Sequence, residues 1–423
     1  MLILIAVIFF ALLVIGMPIA FCMAISAAFA ILLNPSLPAT VIAQKIYTAV
    51  DSISFIAIPL FMMAGSLMNS TGITDKIIRF FKNLVGHITG GLAHVVVLTG
   101  MLMAGVSGSS VADAAAISTI MVPQLEKNGY ERGFAGALIS SAGSLGPIIP
   151  PSIIMIVYSG VVSIPVGKLF MAGVIPGVIL GVMMLVYSYI YAKSKGMERG
   201  TFAGWKAVGK SFLSSLGALL MPLIIIGGIV LGICTATESG ILAIIYGIIY
   251  GFLSGELTLK KLWNSITESI AGAAQPMIII SFASLLAYVL TFYDLGTVVG
   301  TVMNNFTNNG NMVLIMIFII IFIAGMFIES TAILLMLVPF FSPLISVYGF
   351  DPIHFATVCI ISLVLGGITP PVGIVMYVVS SVTHTELKSI IKHIWPFIAI
   401  FSIGVLLVIF IPQVATWLPS FMA

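Results

Sequence analysis

Three carboxylates lie within apolar stretches of the chain, where acidic side chains are rare. Asp113, Glu238 and Glu329 differ in this from the rest of the 13 Asp and Glu residues, which lie in loops, amphipathic segments or at the ends of apolar runs. A carboxylate surrounded by hydrocarbon is costly, so such a residue marks an ion, proton or substrate pathway. For Glu238, which opens an apolar run, capping of a helix N-terminus is the alternative.

Two stretches rich in glycine and proline interrupt apolar sequence in a way that continuous helix does not tolerate. They are "GSLGPIIPP" at 143–151 and "GGITPP" at 366–371. A proline inside a helix costs about 3 kcal/mol because it removes a donor and clashes with the preceding turn. Helices broken inside a membrane expose N-termini that favour anions and carbonyls that coordinate Na⁺. We therefore predict broken helices at 133–160 and 352–380; simple proline kinks are the alternative.

A cluster of hydroxyls, "VSGSS" at 106–110, lies in the middle of an apolar segment. Ser107, Ser109 and Ser110 are candidate ligands for an ion or a substrate, although serines also bond back to their own helix. The segment 91–123 and its counterpart 311–341 are polar or small at the centre, which predicts re-entrant hairpins covered by protein. Arg132, which opens the first broken helix, is a candidate partner of a substrate carboxylate or of a lipid head group.

The composition indicates that these segments lie in a lipid bilayer rather than in water. The chain of 423 residues is 61% hydrophobic and 7% charged, with a mean hydropathy of +1.26. Repeated apolar runs longer than about 18 residues are typical of an all-α polytopic protein in a lipid bilayer. The three cysteines stand singly, which predicts neither disulfides nor a metal site. We expect no nucleic-acid partner.

Hydropathy predicts about nine spans, besides the two hairpins, near 3–33, 47–70, 133–160, 166–192, 214–232, 236–254, 271–292, 352–380 and 394–418. With a cytoplasmic N-terminus and a periplasmic C-terminus, 14 of the 16 Lys and Arg residues fall on the cytoplasmic side. Only Lys45 and Lys168 lie outside. This distribution follows the positive-inside rule, and it is lost if either hairpin is counted as a full span.

An internal repeat organises the chain. Four landmarks recur in the same order and at a nearly constant sequence separation, namely the pairs Pro59/Pro276, Asp113/Glu329, Pro150/Pro370 and Pro176/Pro396. An odd number of spans precedes the second copy, so the repeats are inverted. We predict a first repeat over 1–195, a connecting part over 196–235 and a second repeat over 236–423. The charged segments 74–90 and 256–270 are predicted to be amphipathic arms at the cytoplasmic face.

Three motifs carry a family resemblance. They are "GSSVADAAAISTIMVPQLEKNGYERGFAGALISSAGSLGPIIPPS" (108–152), "TATESG" (235–240) and "ITPPVG" (368–373), and they resemble the large membrane subunit of tripartite ATP-independent periplasmic (TRAP) transporters. Ala236 stands where the family's TPTEA-like stretch has proline, which weakens the transfer of a role to Glu238.

The resemblance implies a transporter of the bacterial inner membrane rather than an enzyme. Members import organic anions such as C4-dicarboxylates, sialic acid and other sugar acids with a sodium gradient. A periplasmic binding protein delivers the substrate, and a small four-helix membrane subunit supports the large one. The fold it implies resembles elevator-type ion transporters.

Together, the residues and the resemblance assign the candidate site. The substrate-binding candidates are Ser107, Ser109, Ser110, Asp113 and Arg132. About two sodium sites are implied, with candidates Ser107, Ser109, Gly143, Gly146 and Pro150 in the first repeat and Gly325, Glu329, Gly366, Thr369 and Pro371 in the second. Structural or gating roles fall to Glu238, Pro151 and Pro370.

Other functions stay open on sequence alone. A proton-coupled transporter working without a binding protein would use Asp113 and Glu329 as its titrating groups. A channel fits less well, because inverted repeats with opposed hairpins suit alternating access. An intramembrane enzyme lacks any zinc, Ser–His or Ser–Lys pattern.

Overall fold

The computed structural model describes residues 1–422, apart from the side chains of Ile53, Ser54 and Ala218. This part of the chain is built from 21 α-helices and a short 3-10 helix at Pro419–Phe421, and it contains no strand. The predicted all-helical fold is therefore confirmed. Two broken helices and two helical hairpins dominate its architecture.

The first half of the chain forms ten helices. They are α1 Leu2–Val14, α2 Ile19–Leu32, α3 Thr40–Val50, α4 Ile53–Ser70, α5 Ile73–Val85, α6 Gly91–Ser107, α7 Ser110–Lys127, α8 Arg132–Gly143, α9 Ile153–Val162 and α10 Val166–Ser194. Helices α6 and α7 pack together as the first hairpin. Helices α8 and α9 flank the first break, residues 144–152.

The second half of the chain forms eleven helices, among which a hairpin is again followed by a broken helix. They are α11 Trp205–Val230, α12 Ala236–Leu253, α13 Leu259–Phe292, α14 Leu295–Phe306, α15 Gly310–Gly325, α16 Ser330–Phe341, α17 Pro343–Tyr348, α18 Pro352–Gly367, α19 Ile374–Thr383, α20 Leu387–Phe410 and α21 Gln413–Thr416. Helices α15 and α16 form the second hairpin. Helices α18 and α19 flank the second break, 368–373, and the Pro–Pro bond of each break is cis.

Two predicted spans are divided in the structure. The prediction of one span at 3–33 is wrong, because α1 and α2 are separate short helices that pack together. Gly16 adopts the left-handed φ of +87° and Pro18 precedes α2, so neither residue continues a helix. The span predicted at 47–70 corresponds to α3 and α4, whose axes differ by 46°.

One predicted arm is also wrong. Residues 259–270 are not a separate segment but the first third of α13, a single helix of 34 residues. Lys and Glu are good helix formers, so the charged residues of this segment indicate an exposed part of a continuous helix rather than a break in it. In the second half, α14 follows α13 as a short helix in the same way that α5 follows α4 in the first half. The arm predicted at 74–90 corresponds to α5, which is a separate helix.

By length and composition, four helices of the described residues 1–422 are able to cross a membrane: α10, α12, α13 and α20. Three bent pairs raise the number to seven if each pair counts as one span. The predicted count of nine also includes the broken helices, which consist of two short pieces each. The extent of the two repeats and the sidedness of the termini stay predictions.

The two halves are packed across each other. Helix α8 of the first broken helix packs on α20, and α18 of the second packs on α10. At the first contact, the rings of Phe134 and Phe397 lie 6.2 Å apart. A Cβ on Gly136 would approach Ile390 to 2.8 Å, so the small residue allows the close crossing. Most of the first break and Ser107 and Gly108 of the first tip lie in the protein interior, whereas Phe327 at the second tip and Pro371 and Val372 in the second break are exposed.

Candidate functional site

The tip of the first hairpin is seated on the first break. Gly108 has a left-handed φ of +62°, and a Cβ there would lie 2.6 Å from the carbonyl oxygen of Pro151. Only glycine therefore fits the turn. Ser109 then caps α7, its Oγ accepting the Ala112 N–H at 3.4 Å. The predicted hydroxyl cluster thus shapes a helix N-terminus against the Pro–Pro segment.

Asp113 is fully buried behind this tip. Its Oδ1 accepts a 2.6 Å hydrogen bond from Ser107 Oγ, while its Oδ2 has no hydrogen-bond partner among the described residues. Gly146 shows what surrounds Oδ2: a Cβ on Gly146 would lie 2.9 Å from Oδ2 and 3.2 Å from both the Gly143 carbonyl oxygen and the Ser109 carbonyl carbon. The Asp113 carboxylate oxygen and the Gly143 carbonyl oxygen thus lie close to one point, an arrangement that suits a small cation.

The break itself is held by a serine that is absent from the predicted candidates. Ser152, fully buried, donates to the Pro147 carbonyl at 2.6 Å and accepts the Met155 N–H at 3.2 Å. It therefore closes the break and starts α9. The signal was present, because a serine directly before an apolar run is a typical N-cap. Gly143, a candidate sodium ligand in the sequence, packs against Ala114. A Cβ added to Gly143 would lie 2.8 Å from the backbone nitrogen of Ala114.

The second tip is built differently from the first. Glu329 is half-buried and caps α16. Its Oε2 accepts a hydrogen bond from the Ala332 N–H at 3.1 Å, and its Oε1 accepts one from the Thr331 hydroxyl at 2.9 Å. Both oxygens of this carboxylate are thus paired, unlike those of Asp113. Thr369 in the second break donates to the Leu365 carbonyl at 2.7 Å.

The two tips meet at a small cavity of 190 Å³, which we call the tip cavity. Ser109 lines it from the first tip, and Glu329 and Thr331 line it from the second. Gln275 and Pro276 of α13 form another wall. The structure therefore brings together candidate residues of both repeats that lie in opposite halves of the sequence.

A larger polar cavity of 490 Å³, the hairpin cavity, starts at Ser107 and Ser109 and continues between α4 and α13. Its remaining walls are mostly hydroxyls and amides, with two charged side chains; the polar ones are Ser66, Asn69, Ser70, Lys261, Asn264, Ser265, Glu268 and Ser269. This wall was not predicted from the sequence. The signal was the run of polar residues at 66, 69 and 70 in an otherwise apolar helix.

Other candidates lie elsewhere. Arg132 begins α8, about 16 Å along the helix from Gly143, and donates to the Thr383 carbonyl at 2.8 Å. The structure thus does not bring it to the tips. Ser110 opens α7 without lining the hairpin cavity or the tip cavity.

Glu238 forms a capping box with Thr235 at the start of α12. Its Oε2 accepts the Thr235 N–H at 2.7 Å. The contacts of Glu238 are therefore those of a helix cap, the alternative considered for it from the sequence. The described residues include no cluster of three or more His, Cys, Asp or Glu that suits a transition metal.

Similarity to known proteins extends along nearly the whole chain. The C4-dicarboxylate TRAP transporter large permease protein DctM of Pseudomonas aeruginosa is 35% identical, over 94% of this chain and 93% of its own. The sialic acid TRAP transporter large permease protein SiaM of Vibrio cholerae is 33% identical, over 96% and 95%. The crystal structure of the Alcanivorax borkumensis YdaH transporter shares the fold with a TM-score of 0.64, 89% coverage of both chains and 13% identity.

The family described as "Tripartite ATP-independent periplasmic transporter, DctM component" matches residues 6–414. The match includes both hairpins, both breaks and the tip cavity between them. The chain belongs to the tripartite ATP-independent periplasmic transporter family as a large permease protein.

Proposed function

We propose that this protein imports a small organic anion, coupled to sodium, across the bacterial inner membrane. A periplasmic binding protein delivers the anion, and a small four-helix membrane subunit supports the permease. The relatives' names, which specify a C4-dicarboxylate and sialic acid, support an organic anion. The description of the family as tripartite supports the two partners. The N-terminus is cytoplasmic and the C-terminus periplasmic in this proposal.

The observation that carries the sodium proposal is the unpaired Oδ2 of Asp113. A buried carboxylate without a counter-charge is strongly disfavoured. Na⁺ bound between this oxygen and the nearby Gly143 carbonyl oxygen would supply the missing charge. The hydroxyl of Ser107 holds the other carboxylate oxygen and thereby orients it. Sodium is here a co-transported substrate.

The anion would bind next to this ion, in the tip and hairpin cavities. The N-termini of α7 and α9 carry partial positive charge and unpaired N–H groups, which favour an anion. Ser109 lines both cavities, so it is the side chain best placed to contact anion and sodium site together. Serine and asparagine side chains along α4 and α13 would hydrogen-bond the substrate's other polar groups.

A second sodium site in the second repeat is part of the proposal, with Gly325, Glu329, Gly366, Thr369 and Pro371 as candidates. The fold repeat supports it, but there Glu329 has paired oxygens. Alternating access by an elevator movement of hairpins and broken helices against α4 and α13 is proposed from the repeat architecture.

Proton coupling is the second candidate, and the same atom favours it. A proton on Asp113 would also satisfy the free Oδ2, without any cation. The two candidates differ in what drives uptake, so the coupling ion is the quantity to measure.

The test is uptake into proteoliposomes that contain the permease with its small subunit. Labelled substrate on the binding protein is supplied outside, with an inward sodium gradient, a proton gradient or neither. We expect uptake only with sodium and the binding protein, and none for Asp113→Asn. Asp75→Asn, on the exposed face of α5, is the matched control and keeps its uptake. Uptake driven by protons alone, or without the binding protein, would contradict the proposal.

A further inference from the structure

A third polar cavity, of 260 Å³, lies between α3, α4, α9, α13 and α16. We call it the Lys45 cavity, because Lys45 is the one charged side chain among its described lining residues. Thr48, Ser52 and Ser284 add hydroxyls. None of the tip residues Ser107, Ser109, Glu329 or Thr331 lines it. The cavity is therefore separate from the site proposed above.

The Lys45 cavity and the hairpin cavity are counterparts in the internal repeat. Lys261 follows Lys45 at the same sequence separation at which Glu329 follows Asp113. Three more lining pairs have this separation: Thr48 and Asn264, Ala49 and Ser265, and Ser52 and Glu268. All eight members of these four pairs line one or the other cavity. Because the repeats are predicted to be inverted, the two cavities would open toward opposite sides of the membrane.

The counterparts differ in charge. Lys261 shares its cavity with Glu268, so the charged side chains there cancel. In the Lys45 cavity the place of Glu268 is taken by Ser52, and no described carboxylate pairs with Lys45, whose Nζ lies 4.6 Å from the ring centre of Tyr288. The Lys45 cavity thus has a net positive charge. A concave site of one charge concentrates ions of the opposite sign.

We propose that the Lys45 cavity is the capture site, where the carboxylate of the anion binds on leaving the binding protein, and that the Lys261–Glu268 end of the hairpin cavity, away from Ser107 and Ser109, is the release path. The proposal rests on the proposed function and on the predicted orientation, which places Lys45 on the periplasmic side. The charge difference supports this assignment: the anion is attracted where it must be taken up and is not attracted by the balanced charges where it must leave. The hairpin cavity reaches Ser109 and the Lys45 cavity does not, so in this proposal the conformation connects the anion site with the release path.

The first experiment measures uptake against the concentration of substrate-loaded binding protein. Lys45→Gln is expected to raise the half-saturating concentration roughly tenfold and to remove the dependence of uptake on ionic strength. Lys45→Arg keeps the charge and is expected to behave like the wild type. Ser52→Glu, which gives this cavity the charge balance of its counterpart, is expected to act like Lys45→Gln. Lys168→Gln, at the other lysine predicted outside, is the matched control.

Three results would overturn the proposal. The first is a half-saturating concentration that Lys45→Gln leaves unchanged, and the second is an equal change in Lys168→Gln. The third is weaker binding of the empty binding protein to Lys45→Gln permease in a direct binding assay. That result would assign Lys45 to the protein–protein interface rather than to the substrate.

A second measurement tests sidedness without transport. In a variant with Cys22, Cys234 and Cys359 replaced by alanine, Thr48→Cys and Asn264→Cys are labelled with a membrane-impermeant thiol reagent from either side. Both positions are exposed. We expect Thr48→Cys to react from the periplasmic side and Asn264→Cys from the cytoplasmic side. Reaction of both from one side overturns the proposal, and this readout stands even if sodium coupling or the binding protein is shown to be unnecessary.

Discussion

The backbones of Gly325 and Gly366 are in direct contact. The Cα of Gly325 lies 2.5 Å from the place where a Cβ on Gly366 would stand. Gly325 ends the first helix of the second hairpin, and Gly366 lies at the end of α18 before the second break. These two glycines therefore join the second hairpin to the second break without any side chain between them.

Gly366→Ala is expected to destabilise the protein by about 1–3 kcal/mol, because the new methyl group meets backbone that cannot move aside. Gly367→Ala is the control, since a Cβ there meets only Ser330 Oγ at 3.7 Å. Thermal unfolding of the purified variants in detergent measures the difference. Equal melting temperatures for the two variants would contradict the close contact.

Ser107→Ala removes the hydrogen-bond donor of Asp113 Oδ1 and leaves both carboxylate oxygens unpaired. Hydrogen bonds to charged groups contribute about 1.5–3 kcal/mol, so we expect the apparent affinity for sodium to fall roughly tenfold or more. Sodium titration of uptake is the measurement. Ser118→Ala, which removes a buried hydroxyl bonded to Ala115 of the same helix, provides the control. An unchanged sodium titration would separate Ser107 from the ion site.

Glu238 is expected to act through its capping box and not as a charge. A glutamine serves in a capping box as well as a glutamate does. Glu238→Gln should therefore keep both uptake and melting temperature, whereas Glu238→Ala should lower the melting temperature. Loss of uptake in a stable Glu238→Gln protein would instead indicate a role for the charge in gating.

A pH-dependent contact ties α8 to α10 and α20. Glu131, the residue before α8, bonds Lys195 Nζ at 2.6 Å and His393 Nε2 at 3.0 Å. The Lys195 hydrogen bond lowers the pKa of Glu131 from its ordinary value of 4.5. A lowered pKa in the folded state contributes stability above the ordinary pKa, and this stability is lost as the pH falls through the folded value.

In a His393→Gln background, which removes the histidine contact, Glu131→Gln should lower the melting temperature at pH 6–7. The difference should shrink as the pH falls below the ordinary pKa of 4.5 and disappear only once the pH is below the lowered pKa of the folded state, where Glu131 is protonated in both states. Melting curves across this range check the sign. A difference that grows on acidification would show that the Lys195 contact does not favour the carboxylate form.

Glycine and proline made much of the architecture predictable. The hairpins and broken helices follow from Gly108, Pro150 and Pro370, since these residues fix or exclude a local backbone conformation whatever the surroundings. The continuity of α13 was not predictable in the same way, because charged residues such as Lys261 and Glu268 are compatible with either an arm or an exposed length of helix. Tertiary packing decides between the two.

The site was predictable in part for a related reason. Asp113 and Glu329 stand out in apolar sequence, yet their different pairing depends on where Ser107 and Ala332 lie in space. The serines and asparagines of α4 and α13 gave only a weak signal individually. Their shared cavity exists because two helices from opposite halves of the sequence pack side by side, which no local pattern encodes.

The length of α13 has a consequence for the lipid environment. Its 34 residues rise about 51 Å, whereas the hydrocarbon core of a bilayer is about 30 Å thick. The residues of α13 that line the hairpin cavity, Lys261 to Ser269, all lie in its first eleven positions. A thicker bilayer would draw this polar end into the acyl chains unless the helix tilted less. We therefore expect transport to slow as the lipids of the proteoliposome are lengthened, because a thicker bilayer disfavours the exposed polar end of α13.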